Sequence, residues 1–234
     1  MRLFITSYQK SGTHQIMPSF DVQQDIVDRS RNQLLDLPER YGRIGELDYD
    51  GIKETSIRLS NFHWKAFGHV SYLPIYAKAL QEIEPTKVLF NVRDPRDVII
   101  SEYYSSAYGE WPNLHIPEYK CSIAELEDPI LELIRVAAVR WPKWLGWLQH
   151  DFVRKVKYED LRLNGIEEIP KIVEWLKPYE VNAVECVARL KPRPLNPTFR
   201  RGVPGEWKTG MSDEQKRLSK ELLGDIITEL GYEV

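Results

Sequence analysis

The chain has 234 residues, 42% hydrophobic and 29% charged, with 32 lysines and arginines against 35 aspartates and glutamates. That length and balance fit a soluble globular protein, and a single domain over residues 1–234 is the expectation. The net charge of −3 excludes a general nucleic-acid or anionic-membrane binder, so any anion site must be a local pocket and not a global field.

No apolar run reaches about 18 residues, so no membrane span is expected. A first strand beginning at Arg2 or Leu3 leaves no visible signal peptide. Cys121 and Cys186 are the only thiols and lie far apart. This is no disulfide framework, and it fits a reducing cytoplasm. His14, His63, His69, His115 and His150 show no metal-ligand spacing, and no metal is expected.

The first predicted element is a strand over 2–6, "RLFIT", which runs into the polar turn "SYQKSGTH". A strand, a turn holding a lysine and a helix start together make an anion cradle. Backbone N–H groups point at the ligand and the helix dipole adds to them. Gly12 lets the backbone approach closely, Ser11, Thr13 and His14 offer donors, and Lys10 brings a point charge on a flexible arm. A capped surface turn accounts for the string equally well. The nucleotide-triphosphate loop G-x-x-x-x-G-K-[ST] is excluded, because Lys10 precedes the only glycine. Pro18 falls early in the helix the cradle starts, so that helix is expected to be short or kinked.

Residues 20–62 are polar and irregular, and a short helix with loops is expected there, forming one wall of an acceptor pocket. A strand follows at 64–70, then a helix at 71–84 with Leu73, Tyr76, Leu80 and Ile83 at helical intervals. The next strand, 87–92, ends at Arg93. Asp94 can cap the following helix and Pro95 suits its first position. Arg93 and Ser101, eight residues apart, can reach one oxyanion from the same side. Arg96 and Asp97 are expected to form a solvated pair of little energetic consequence.

A long helical pattern occupies 129–150, divided by Pro142. A strand covers 153–158. The loop "TFRRGVPGEWKTGMS" carries Arg200, Arg201 and Gly202, which suit a clamp over a phosphate. A basic surface loop is the simpler reading of that string alone. The last helix opens with a capping box, Ser212 and Gln215. Its expected apolar stripe is Leu218, Leu222, Leu223, Ile226, Ile227 and Leu230, and Gly231 stops it.

Strands alternating with helices predict an α/β domain: a central, mainly parallel sheet flanked by helices, with a P-loop-like strand–loop–helix site at the carboxyl ends of the strands. One ligand with two separate phosphate-like groups would explain the cradle, the Arg93–Ser101 pair and the Arg-Arg-Gly loop together.

On these motifs the chain resembles the sulfotransferases that use 3′-phosphoadenosine 5′-phosphosulfate (PAPS). "SYQKSGTH" is similar to the family's 5′-phosphosulfate loop, and "VRDPRDVIISEYY" to its 3′-phosphate strand–turn–helix. "VKYEDL" resembles its Y-E-D element and "FRRGVPGEWKTGMS" its R-K-G region. The resemblance implies sulfuryl transfer from PAPS to a hydroxyl or amine of a small-molecule acceptor, leaving adenosine 3′,5′-bisphosphate (PAP), in a cytoplasmic enzyme. Lys10 would contact the bridging oxygen, and Ser11, Gly12, Thr13 and His14 would hold the 5′-phosphate. Arg93, Ser101, Arg200, Arg201 and Gly202 would hold the 3′-phosphate, and Tyr158 would lie at the adenine. Glu159 and Asp160 would brace the structure.

His69, ahead of Leu73-Pro74, would be the general base, with His63 its competitor. Gln9 stands in place of the family's proline, and Gln15 where the family often has a tryptophan. The rival readings are a nucleotide-dependent kinase or NTPase, and a non-catalytic nucleotide-binding protein.

Overall fold

The computed structural model describes residues 2–20, 64–68, 71–82, 86–108, 115–116, 121–122, 125–190 and 202–234. The helix and loops expected between residues 21 and 62 lie outside these. So do His63, His69, Arg200 and Arg201. The backbone packs as two compact units, residues 1–92 with 146–192 and residues 93–145 with 193–234.

The first unit holds a four-stranded parallel sheet. Its strands are β1 (Arg2–Ser7), β2 (Trp64–Gly68), β3 (Thr86–Val92) and β6 (Val153–Lys157). The order is β2-β1-β3-β6, and Ser7 of β1 pairs with Asn91 of β3. Parallel neighbours cannot be joined by tight hairpins, so helices carry the crossovers. They include α1 (Thr13–Ser19) and α2 (Pro74–Glu82). From β1 the chain crosses to β2 on one side and then to β3 on the other. The carboxyl ends of β1 and β3 therefore form a topological switch point, where open parallel sheets place ligand crevices.

Alternating side chains put Leu3 and Ile5, with Leu89 and Val156, on one face of the sheet. Ile16 and Met17 of α1 cover that face, with Leu161, Ile169 and Ile172 of α6 (Tyr158–Trp175) and Cys186 of α7 (Ala183–Arg189). Phe4 points the other way and meets Trp147, ring centroids 6.3 Å apart. Trp147 sits in a 3-10 turn over Gly146–Gln149 and packs edge-on against Tyr72, whose hydroxyl lies 3.1 Å from His150 Nε2. Burial on both faces explains why β1 and β3 read as almost continuous apolar runs. Helix α1 is seven residues long with Pro18 inside it, the short helix expected.

The second unit is mainly helical. It contains α3 (Pro95–Tyr108), a small antiparallel pair β4 (His115–Ile116) and β5 (Cys121–Ser122), and α4 (Pro129–Arg140). It also contains α5 (Pro142–Leu145), α8 (Trp207–Gly210) and α9 (Asp213–Glu229). Pro142 divides α4 from α5 as expected. Asp128 caps α4 by accepting from the N–H groups of Ile130 and Leu131, each at 3.0 Å. The same carboxylate accepts from Gln215 Nε2 at 3.0 and 2.9 Å. Gln215 also closes the capping box of α9 with Ser212.

The stripe of α9 differs in part from expectation. Gln215 and Ser219 are buried with Leu223, Ile226, Ile227 and Leu230, whereas Leu222 is 38% exposed. The bonds from Gln215 to Asp128 bring this polar end of the helix inside. Gly231, at φ 83°, ends the helix. The Tyr232 N–H donates to the Ile227 oxygen at 2.9 Å and that of Gly231 to the Thr228 oxygen at 2.8 Å, a Schellman stop. Among the described residues no helix is long and apolar enough to cross a membrane.

Candidate active site

The turn after β1 has an unusual backbone. The Ser11 N–H donates to the Tyr8 oxygen at 3.3 Å. Lys10 adopts φ 62° and Gly12 φ 81°. Lys10 is the one non-glycine residue with positive φ among those described. The left-handed conformation costs an L-residue about 1–2 kcal/mol, and it persists where surrounding contacts over-determine it.

Two such contacts are visible. The Asn91 side-chain amide donates to the Ser11 oxygen at 2.6 Å. The ring of Tyr158 packs against Gly12, so that a Cβ there would come within 2.2 Å of Tyr158 Cδ2. Gly12 is therefore required both for its φ and for its lack of a side chain.

Ser11 is fully buried and its Oγ has no hydrogen-bond partner among the described residues. Asn91 Oδ1 is in the same state. A buried hydroxyl without a partner costs about 1–3 kcal/mol, and a bound oxyanion would satisfy it. This orphaned donor, beside the half-buried Lys10, fits the anion cradle expected from the sequence. Thr13 and His14 open α1, and their side chains lie outside the described set. Tyr158 is 3% exposed and begins α6 directly after β6. Glu159 and Asp160 occupy the first turn of α6, where the helix dipole favours negative charge.

The turn after β3 is built as expected in outline. Arg93 is 5% exposed, Asp94 accepts from the Arg96 N–H at 2.9 Å, and Pro95 is the first residue of α3. The solvated Arg96–Asp97 pair is corrected: the two are 4% and 1% exposed and have different partners. The Arg96 guanidinium grips Asp94 through Nε and an Nη at 2.9 and 2.8 Å. It also donates to the Glu233 oxygen at 2.6 Å and stacks on the Trp207 ring at 3.7 Å. Asp97 accepts from the backbone N–H groups of Gly205 at 2.6 Å and Trp207 at 2.9 Å, and an Arg93 nitrogen lies 4.0 Å away. The segment following Gly202 covers both residues and removes them from water. Burial pushes the Asp97 carboxyl above its usual value, against the lowering effects of the Trp207 N–H, Arg93 and the Gly205 N–H.

Ser101 is half-buried, one turn beyond Asp97 on the same face of α3. Gly202 is half-buried at φ 61°. The structure thus joins Ser11, Gly12 and Tyr158 at the first turn, and Arg93 to the 202–207 loop through Asp97. Asn91 and Asp97 are the supporting residues that the sequence reading missed. Their signals are an amide inside the apolar strand "VLFNV" and a carboxylate four residues after Arg93.

An open parallel sheet with a strained, lysine-bearing turn at its switch point defines an α/β protein of doubly wound type. The sulfotransferase domain model matches residues 1–229, and the chain belongs to that family. Sulfuryl transfer is the activity of that class. Solved structures share the fold. Mouse sulfotransferase SULT7A1 complexed with PAP matches with TM-score 0.60 and 19% identity over 97% of this chain and 83% of that one. Retinol dehydratase in complex with androsterone and inactive cofactor PAP matches with TM-score 0.61 and 15% identity, covering 100% and 83%. Its complex with retinol and PAP gives 0.59 and 16%, covering 100% and 84%. No curated protein sequence matches the chain significantly.

Proposed function

We propose that this sulfotransferase takes its sulfuryl group from PAPS and passes it to a hydroxyl, or an amine, of a small-molecule acceptor in the cytoplasm. The acceptor oxygen bonds to sulfur as the bond from sulfur to the bridging oxygen of the donor breaks. PAP leaves, and the acceptor proton goes to a base. The observation that carries this reading is the family match over residues 1–229. The buried, unpartnered Ser11 Oγ beside Lys10 supports it, because a phosphosulfate oxygen supplies the missing partner. The retinol dehydratase complexes, which hold androsterone or retinol with PAP, support an acceptor of small-molecule size.

Lys10 stabilises the negative charge that grows on the bridging oxygen, and Ser11, Gly12, Thr13 and His14 hold the 5′-phosphate. Arg93, Ser101, Arg200, Arg201 and Gly202 hold the 3′-phosphate. Tyr158 lies at the adenine and His69 takes the acceptor proton. The chain's own work is positioning and charge stabilisation, as in phosphoryl transfer. One domain over residues 1–234 carries the whole reaction.

The test is incubation with sulfur-labelled PAPS and a panel of phenols, alcohols and amines, with PAP binding measured by calorimetry. Labelled acceptor and PAP binding are expected. Absence of both, with ATP and magnesium bound instead, would return the reading to a kinase.

A further inference from the structure

We propose that Asp97 is a positioning residue for the donor: it acts through Arg93, tying that guanidinium to the loop that follows Gly202. This rests on the PAPS reading above. A carboxylate beside a residue meant to bind phosphate opposes anion binding by its charge, so its presence requires a compensating role. Its surroundings supply one. Asp97 is 1% exposed, and its two oxygens accept from two different peptide groups, Gly205 through Oδ2 and Trp207 through Oδ1. A carboxylate committed in this way is neither a proton acceptor for substrate nor a metal ligand.

The approach to Arg93 is a 4.0 Å charge contact to one nitrogen, not a bidentate fork. It biases the direction of the guanidinium without occupying its face. Arg96 differs, since it is engaged by Asp94, the Glu233 oxygen and the Trp207 ring. Arg96 therefore braces Trp207 while Asp97 takes its N–H, and the 203–207 backbone is pinned on two sides. Asp97 touches both that backbone and Arg93.

The experiment is a double-mutant cycle on PAP affinity, using the full chain as wild type, Arg93→Ala, Asp97→Asn and the double variant. Asp97→Asn keeps the size, removes the charge and turns one of the two acceptors into a donor. It is expected to weaken PAP about tenfold or more, which is about 1.4 kcal/mol. In the Arg93→Ala background the same change is expected to cost less than about threefold, because the group it acts through is gone. Turnover at saturating PAPS should stay within about threefold, since positioning of the ground-state contact is read in affinity.

Equal losses of affinity in both backgrounds make Asp97 a structural residue only and overturn the proposal. The cycle is run in parallel with Asp97→Glu, which keeps the charge and moves it by one methylene. It is expected to show the same loss and the same dependence on Arg93, and additivity there overturns the role even if Asp97→Asn does not fold. A wild-type chain that binds no PAP overturns the donor reading, and this role with it. A wild type that binds, with additive cycles, overturns this role alone.

Discussion

The side-chain amide of Asn91, the penultimate residue of β3, donates to the backbone oxygen of Ser11 in the turn after β1, at 2.6 Å. Two strands that are neighbours in the sheet are thereby joined a second time, beyond their ladder, where the lysine turn begins. Asn91→Asp replaces the donor with an acceptor that faces the Ser11 oxygen and adds negative charge beside an anion cradle. PAP affinity should fall more than tenfold, and stability by about 1–3 kcal/mol. Calorimetry and urea unfolding check the two effects separately. Unchanged affinity would remove Asn91 from the support of the cradle.

Lys10→Ala should reduce turnover far more than affinity for the donor PAPS, because the charge it meets grows only as the bond from sulfur to the bridging oxygen breaks. Relief of the left-handed lysine is not expected to restore activity, since alanine at φ 62° carries the same strain. Turnover equal to wild type under saturating donor would count against the role given to Lys10.

His69→Ala should lower turnover about 10²–10⁴-fold with the melting temperature unchanged, the usual range for loss of a general base. His63→Ala serves as the control. Activity that survives the first change and disappears with the second transfers the role to His63.

The raised pKa of Asp97 makes a signed statement about stability. Burial lets the folded chain hold this proton to higher pH than the unfolded chain, whose value is the ordinary 3.8. The contribution of Asp97 is full below 3.8 and is lost as pH rises through the raised folded value. Arg93 and the two N–H groups limit the loss, and Asp94 adds to it. Urea midpoints for wild type and Asp97→Asn, measured from strongly acidic to neutral pH, should shift in favour of the variant as pH rises. Parallel curves would mean that Asp97 titrates alike in both states.

The four strands of the parallel sheet, the break at Pro142, the capping box and the stop at Gly231 were legible, because each depends on residues close in sequence; the short antiparallel pair β4 and β5 was not. The environment of Arg96 and Asp97 was not. Their neighbours in the chain look like those of any solvated helix start, and the groups that bury them, Gly205 and Trp207, arrive from over a hundred positions away. The face of α9 was misjudged at its polar start for a related reason: a glutamine whose amide meets a distant carboxylate belongs inside, and no periodicity count includes that. In the candidate site the lysine turn was legible from its composition. The partners that hold it, Asn91 and Tyr158, come from two other strand ends and are visible only once the sheet order is known.

Asp128 serves two masters: it opens one helix and, across 87 positions of chain, secures the glutamine that opens another. Neither end can fray alone without taking a hydrogen-bond partner from the other. The starts of these two helices should therefore breathe in unison, exchanging their amide hydrogens as one cooperative block although the chain synthesises them far apart.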